Sequence, residues 1–202
     1  MIRRRMADSP TFDQDYYDRF YRNPKTRVAS LTITLQLAEF VCSYLKHIGQ
    51  PVRNVLDMGC GLGFWREAIL VHYPDAKYTG VEVSPYLCEE FGWKNGSVAT
   101  YRGRGKADLV VCQGVLQYLT DSECRDAIAN LGRLTRGVLY LEALTIQDWE
   151  ENCDQAVTDG NVHLRSGAWY RRHLAKSFTN CGGGVFLADS SDANLFELER
   201  LD

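Results

Sequence analysis

Three glycines at every second position, Gly59, Gly61 and Gly63, constrain the fold of this chain more than any other feature. The apolar residues before them, at positions 52, 55 and 56, predict a buried strand. The apolar residues after them, at positions 64, 68 and 71, have helical spacing. The stretch therefore predicts a strand, a glycine loop and a helix, in which the backbone approaches a ligand closely and the helix offers free N–H groups.

The spacing of the glycines excludes two common nucleotide loops. A dinucleotide fingerprint needs Gly or Ala at position 64, where Phe64 stands, and a phosphate loop needs Gly-Lys followed by Ser or Thr. The sequence at 57–63 instead reads Asp-x-Gly-x-Gly-x-Gly, without a Lys or Arg to meet a phosphate. A nicotinamide-dependent oxidoreductase is therefore disfavoured.

Alternating helices and strands are predicted along most of the chain. Helices are predicted at residues 13–21, 26–48, 64–72, 84–91, 120–134 and 167–178, and strands at 53–57, 77–81, 97–101, 107–112, 137–143, 185–188 and 195–198. This order is typical of an α/β fold with a mainly parallel sheet covered on both faces. Only residues 102–106 separate the third and fourth strands, so the usual helix there is reduced or missing. Residues 189–194 are too short for a parallel crossover, which predicts an antiparallel hairpin for the last two strands.

Length and charge limit the class of protein. A chain of 202 residues suits one domain, and a net charge of -3 gives no general attraction to nucleic acid or anionic membranes. The cationic cluster Arg3, Arg4 and Arg5 is read as a solvated terminus rather than a nucleic-acid arm. No apolar run is long enough to span a membrane, and no apolar segment of a signal peptide follows the N-terminal basic residues.

The seven cysteines include no Cys-x-x-Cys pair. We expect reduced, mostly buried thiols in a cytoplasmic protein, and no metal site.

A second landmark is Glu82, at the end of the second predicted strand. It lies about 20 residues past Gly63, where an acid can bind the hydroxyls of a ribose. The alternative is a solvated loop acid. The pairing of this acid with the glycine loop is more specific than either feature alone.

Four ordered landmarks together resemble the class I S-adenosylmethionine-dependent methyltransferases. They are the glycine motif at 57–63, Glu82, and the fourth and fifth strand segments at 107–112 and 137–142. The resemblance implies a Rossmann-like three-layer α/β/α sandwich whose seven-stranded, mainly parallel sheet has the order 3-2-1-4-5-7-6, with the seventh strand antiparallel. It also implies S-adenosylmethionine as methyl donor, S-adenosylhomocysteine as product, in-line transfer to the acceptor, and no metal.

The resemblance assigns cofactor-binding roles to residues at the ends of strands one to four. We expect the contacts from Asp57, Gly59, Cys60, Gly61, Gly63, Phe64, Glu82, Val83, Arg102, Gln113 and Gly114. Arg102 takes the place of the acid that often meets adenine in this family. The resemblance also implies that Gln113 lies beside the cofactor and the methyl group that is transferred.

Acceptor residues are expected outside these motifs. Residues 1–50 are predicted to form a helical lid on a methyltransferase domain at 51–202, with Tyr17, Tyr21 and Arg27 over the site. Trp149, after strand five, is expected to line the acceptor pocket, and Glu142 or His163 to act as general base. For each of these residues the alternative is ordinary packing or a surface position.

The acceptor predicted from these features is a small molecule. The Asn-Pro-Pro-Tyr-like segment of amino-methyltransferases acting on adenine or protein Gln is missing after strand four, where residues 112–115 read Cys-Gln-Gly-Val. We expect no nucleic-acid or membrane partner, and a monomer or homodimer. The competing hypothesis is a non-catalytic protein of the same fold that binds the cofactor or a partner, favoured by the short link between strands three and four.

Overall fold

A single seven-stranded sheet forms the centre of the computed structural model, which describes residues 11–201. Its strands are β1 Asn54–Met58, β2 Lys77–Glu82, β3 Lys94–Asn95, β4 Ala107–Gln113, β5 Thr135–Glu142, β6 Phe178–Asn180 and β7 Val185–Ala188. The strand order is β3-β2-β1-β4-β5-β7-β6. The five strands β3, β2, β1, β4 and β5 pair in parallel in that order, and β7 is antiparallel to both β5 and β6. The predicted order and the antiparallel seventh strand are confirmed.

Helices cover both faces of the sheet. They are α1 Gln14–Tyr17, α2 Leu31–His47, α3 Phe64–His72, α4 Pro85–Phe91, α5 Asp121–Leu134, α6 Ile146–Glu151 and α7 Gly167–Leu174. Side-chain caps start several of them: the hydroxyls of Ser84 and Thr120 accept from the backbone at the N3 position, and Thr120 forms a full capping box with Glu123. Helix α2 begins at Leu31 rather than at residue 26 because Ser30 caps it.

A π-helical turn, Asp18–Arg22, continues α1. The amide of Asn23 donates to the carbonyl of Asp18 five residues earlier, at 2.9 Å. Such wide turns are rare, and they often occur at functional sites. The sequence predicted an ordinary helix here.

Three predicted elements are wrong in position. Residues 97–101 form a turn closed on the carbonyl of Ser97, and the strand that pairs with β2 is Lys94–Asn95. The helix expected to reach Phe178 ends at Leu174, because Phe178 starts β6. The strand expected at 195–198 overlaps a 3₁₀ turn, Glu197–Glu199, instead.

The antiparallel hairpin exists, but it joins β6 to β7. Its turn contains three successive glycines with positive φ, Gly182, Gly183 and Gly184. This conformation is readily available to glycine alone, so the glycine run marks the turn rather than a lead-in to one strand. As predicted, residues 96–106, between β3 and β4, contain no helix.

The core has two layers, one on each face of the sheet. Along β1, Leu56 and Met58 pack with α5 and α7 residues, whereas Val55 packs with α2 and α3 residues. This alternation buries the central strands on both faces and presents their carboxyl ends along one edge, where ligands of such sheets bind. No helix in residues 11–201 is long and apolar enough to cross a membrane.

Candidate active site

The loop after β1 follows a path that a side chain at Gly59 would block. Gly59 has φ +82°, and a Cβ there would lie 2.3 Å from Cγ2 of Val115. Its amide donates to the carbonyl of Val81 at 2.8 Å, so the loop turns back onto the end of β2. Gly63 ends the loop as the N-cap residue of α3. The strand, loop and helix predicted from the glycine spacing are therefore present.

Glu82 ties this loop to the end of β2. Its Oε2 accepts from the amide of Gly61 at 2.9 Å, and its Oε1 accepts from the amides of Val83 and Ser84 at 2.8 and 3.0 Å. The side chain is only 3% exposed, yet it lines the cavity described below. Backbone donors thus hold the carboxylate in one position, and the three bonds leave about one acceptor position, on Oε2, for a ligand.

Trp93 braces the loop from the side, which the sequence interpretation missed. Its Nε1 donates to the carbonyl of Gly61 at 3.0 Å. Its ring would lie 2.9 Å from a Cβ at Gly63 and 2.7 Å from one at Gly80. A glycine inside a strand often marks such a close approach, so Gly80 was the signal that could have revealed it.

Asp57 is a buried carboxylate at the end of β1. It is 1% exposed, and the hydroxyl of Tyr78 donates to its Oδ2. The pKa of Asp57 is raised to about 7. Burial is the main cause, the charge of Glu82 adds to it, and the Tyr78 hydrogen bond opposes it. A cationic ligand group beside Asp57 would stabilise its ionised form.

A chain of hydrogen bonds orients the polar residues after β4 and β5. Nε1 of Trp65 donates to Oε1 of Gln113 at 2.7 Å, and Nε2 of Gln113 donates to Oε2 of Glu142 at 3.0 Å. The hydroxyl of Tyr140 donates to the same Glu142 oxygen at 3.2 Å. These bonds fix the amide of Gln113 and leave Oε1 of Glu142 without a donor from the described part of the chain.

These groups line one cavity of about 600 Å³. Within residues 11–201 its lining contains no Lys, Arg or His side chain. It does contain five carboxylates, those of Asp57, Glu82, Glu142, Asp148 and Asp159. The cavity therefore favours cationic ligand groups, and it offers no partner to a phosphate.

Residues 12–22, called here the N-terminal aromatic segment, form the aromatic wall of this cavity. Tyr17 and Tyr21, predicted as lid residues, both line it. Burial, above all, raises the pKa of both phenols, that of Tyr21 to about 12, so they stay neutral near pH 7. The hydroxyl oxygens of Tyr16 and Tyr118 lie 2.8 Å apart, which joins the segment to the turn after β4.

Polar contacts hold this segment against α4. The guanidinium of Arg22 donates to both carboxylate oxygens of Glu90 at 2.7 Å and to the hydroxyl of Tyr86 at 2.6 Å. The Ser84 hydroxyl donates to the carbonyl of Phe12 at 2.5 Å. We call the contacts of Arg22 with Tyr86 and Glu90 the Arg22 latch.

Most predicted cofactor residues line the cavity. They are Asp57, Gly59, Cys60, Gly61, Phe64, Glu82, Val83, Gln113 and Gly114. Gly63 is not part of this lining. Arg102 does not contribute to it, because its guanidinium turns to Oδ1 of Asn130 at 3.1 Å and to nearby backbone carbonyls. The wall after β3 is made instead by Gly96, Ser97 and Val98.

Three predicted acceptor residues also lie outside the lining. Arg27 is exposed, and Trp149 is half-buried on α6. The His163 amide donates to the carbonyl of Gln117, and its ring is close enough to Glu123 to lower the pKa of that carboxyl, after the stronger effect of Thr120. Of the two predicted bases, only Glu142 reaches the cavity.

Several cavity residues were missed as polar site residues. Gln117 and Tyr118 lie in a 3₁₀ turn after β4, and Asp148 and Asp159 lie in the polar span after β5, residues 145–166. This span has no periodicity that would indicate which of its side chains face the site. Among the described residues, no group of three His, Cys, Asp or Glu side chains is arranged to hold a metal ion.

Comparison with known proteins identifies the central part of the chain. Residues 56–137 match the family model described as a methyltransferase domain. A malonyl-(acyl-carrier protein) O-methyltransferase of Acetivibrio thermocellus is 26% identical over 111 residues, which is 50% of this chain and 39% of that protein. The chain thus spans well under half the length of this curated relative.

Solved structures agree with this match. DesVI of Streptomyces venezuelae has a TM-score of 0.61 at 16% identity, with 88% of this chain and 98% of that chain covered. Magnesium protoporphyrin IX methyltransferase of Synechocystis PCC 6803, solved with S-adenosylhomocysteine, has a TM-score of 0.59 at 20% identity, with 83% and 86% covered. At these identities the likeness establishes the fold. Residues 56–137 thus match the model of a methyltransferase domain, and the chain has the Rossmann-like α/β/α fold of the class I S-adenosylmethionine-dependent methyltransferases.

Proposed function

We propose that this protein transfers a methyl group from S-adenosylmethionine to a small-molecule acceptor. One observation carries the proposal: the glycine loop and Glu82 meet in a cavity lined by carboxylates and by no described cationic side chain. A ligand with a sulfonium and an ammonium group suits that lining. A dinucleotide, with its two phosphates, does not.

The residues present fit this cofactor. The fixed carboxylate of Glu82 offers the open acceptor position of Oε2 to a ribose hydroxyl, and Asp57 offers a buried negative charge to an ammonium group. The glycine loop lets the backbone approach, and Gly96, Ser97 and Val98 would lie beside the base. The bound cofactor supplies a methyl group that its positive sulfur already activates.

The work left to the chain is positioning and proton removal. Gln113, held by Trp65, and Gly114 would confine the donor beside the acceptor, which lowers the entropic barrier to an in-line attack. The aromatic wall of the N-terminal segment would exclude water. Glu142, with one oxygen fixed by two donors, would accept a proton from the acceptor where one must leave.

The wider assignments belong to the same proposal. Residues 1–50 would act as the lid of a catalytic domain at 51–202; Arg3, Arg4 and Arg5 lie outside the described residues. We place the protein in the cytoplasm, as a monomer or homodimer without a nucleic-acid partner. The seven free thiols support a reducing compartment.

A second candidate is a non-catalytic protein that binds the same cofactor. It is favoured by the loop at 96–106, which replaces a helix on the adenine side. Calorimetric titration with S-adenosylmethionine, S-adenosylhomocysteine and NAD tests the cofactor: both sulfur ligands should bind and NAD should not. Transfer of labelled methyl across a metabolite panel then separates enzyme from binding protein. A lack of binding by either sulfur ligand would refute the proposed function.

A further inference from the structure

We propose that the acceptor is a small amine, bound as a cation in the part of the cavity between the N-terminal aromatic segment and the span after β5. This inference rests on the proposed function and names its substrate class. The acceptor part of the cavity is defined by Tyr16, Tyr21, Gln117, Tyr118, Glu142 and Asp159.

Charge is the first argument. The cofactor carries two positive groups and one carboxylate, so its net charge is about +1, and the two carboxylates of Asp57 and Glu82 already exceed the charge needed to neutralise it. Glu142 and Asp159 remain on the acceptor side, with no Lys, Arg or His in the described lining to neutralise them. A carboxylate or phosphate acceptor would meet like charges there, whereas an ammonium group would meet opposite ones.

Asp159 lines the cavity together with Tyr16, Tyr21 and Tyr118. Burial is the largest cause of the raised pKa values of these three phenols, and the charge of Asp159 adds to each. The charges of Glu82 and Glu142 also raise the pKa of Tyr21. Neutral aromatic rings beside carboxylates are a favourable setting for an organic cation.

Gln117 is an independent sign that a hydrogen-bond donor belongs here. It is 8% exposed and lines the cavity, yet its buried Oε1 has no hydrogen-bond partner among residues 11–201. A buried polar atom without a partner is costly, and such atoms in native proteins usually serve a ligand or a water. An ammonium or amine N–H is a donor of the kind that this oxygen lacks.

Methyl transfer to a bound amine balances in atoms and charge with the residues present. The bound ammonium gives one proton to Glu142, which frees the nitrogen lone pair. That pair forms the new bond to the methyl carbon while the carbon–sulfur bond breaks with its electrons onto sulfur. The products are a neutral thioether, an N-methylammonium ion and a protonated Glu142, so the total charge is unchanged.

Three ring-matched probes test the proposal: cyclohexylamine, cyclohexanol and cyclohexanecarboxylate. Their binding to the full chain is followed by NMR titration, with and without S-adenosylhomocysteine. We expect the amine to bind about tenfold or more tightly than the other two, because only the amine brings a positive charge to the carboxylates. A tenfold difference corresponds to about 1.4 kcal/mol. Equal or tighter binding of the carboxylate, or no binding of the amine, overturns the proposal.

A matched pair of variants locates the effect. Asp159→Asn removes a carboxylate that lines the cavity, and Asp154→Asn removes a carboxylate outside the lining. The two aspartates are matched, because Oδ1 of each accepts from the backbone amide two residues later, at 2.9 Å. We expect Asp159→Asn to weaken amine binding about tenfold and to leave cyclohexanol unaffected, while Asp154→Asn changes neither. Amine binding unaltered by Asp159→Asn would contradict the assignment.

The two proposals fail separately. If S-adenosylhomocysteine binds but the amine is not preferred, only the acceptor class is wrong. If S-adenosylhomocysteine does not bind, the proposed function falls, and the titrations without it still report the charge preference of the cavity.

Discussion

The amide of Gly61 donates a hydrogen bond to Oε2 of Glu82 at 2.9 Å, which joins the loop after β1 to the end of β2. Both oxygens of this carboxylate accept from backbone N–H groups, so Glu82→Gln would set a side-chain NH₂ against at least one donor. We expect the variant to lose about 1–3 kcal/mol of unfolding free energy and to bind S-adenosylhomocysteine about tenfold or more weakly. Denaturant unfolding and calorimetry measure the two effects. Glu89→Gln, exposed on α4, should change neither; an unchanged Glu82→Gln would remove this acid from the ribose site.

Gly61 and Gly49 form a matched pair for testing the loop. Both have positive φ, +50° and +71°, and a Cβ added to either meets nothing within 4 Å. Alanine should therefore cost each about 1–2 kcal/mol of backbone strain. Only Gly61 lines the cavity, so only Gly61→Ala should also impair S-adenosylhomocysteine binding by calorimetry. Equal binding by both variants would mean that the loop does not contact the ligand.

Asp57 should make cofactor binding depend on pH. Its pKa is raised from 3.8 to about 7 by burial, so the folded, unliganded protein binds more protons than the unfolded chain between these values. The resulting stability is fully present below the unfolded pKa and is lost as pH rises through about 7. A bound ammonium group favours the ionised form, so S-adenosylhomocysteine binding should release protons near neutrality and should tighten as pH rises through 7.

Calorimetry in buffers of different ionisation enthalpy measures this proton release. Asp57→Asn should abolish it. Proton release that persists in the variant would assign the titration to another group.

The Arg22 latch should hold the N-terminal segment closed. Arg22→Ala removes a bidentate ion pair with Glu90 and the bond to Tyr86, both at least partly exposed, so we expect about 1 kcal/mol of lost local stability. Hydrogen exchange should then accelerate across residues 14–22, and S-adenosylhomocysteine should dissociate faster. Arg27→Ala, which removes an exposed arginine from the same segment, serves as control. Exchange that stays as slow in Arg22→Ala as in the control would show that other contacts hold the segment.

The features predicted well from the sequence depend on local patterns. The glycine loop, the position of Glu82 at the end of β2, and the helix starts near residues 84 and 120 are each specified by a few neighbouring residues. The sheet order came from the family resemblance, and the structure confirms it. Local patterns failed at the C-terminal strands: residues 195–198 were predicted as the partner of β7, whereas the observed partner is Phe178–Asn180, which begins where a helix was predicted to end.

Cavity residues that depend on distant contacts could not be predicted. Asp159 and Gln117 matter because the fold brings them beside the N-terminal tyrosines, and neither stands in a periodic segment. Arg102 was chosen for its position after the third strand, but Asn130 on α5 holds its guanidinium elsewhere. The positions of these side chains depend on tertiary contacts, and a single sequence does not show which distant residues will meet.

The π-helical turn Asp18–Arg22 sets the directions of two neighbouring side chains. Tyr21 faces the cavity, while Arg22, the next residue, reaches Tyr86 and Glu90 on α4. Deleting one residue from this turn would restore α-helical spacing and rotate Arg22 by about 100° around the axis, away from its partners. The number of residues in the turn, as much as their identity, therefore determines whether one short segment can both wall the cavity and fasten itself to the body of the protein.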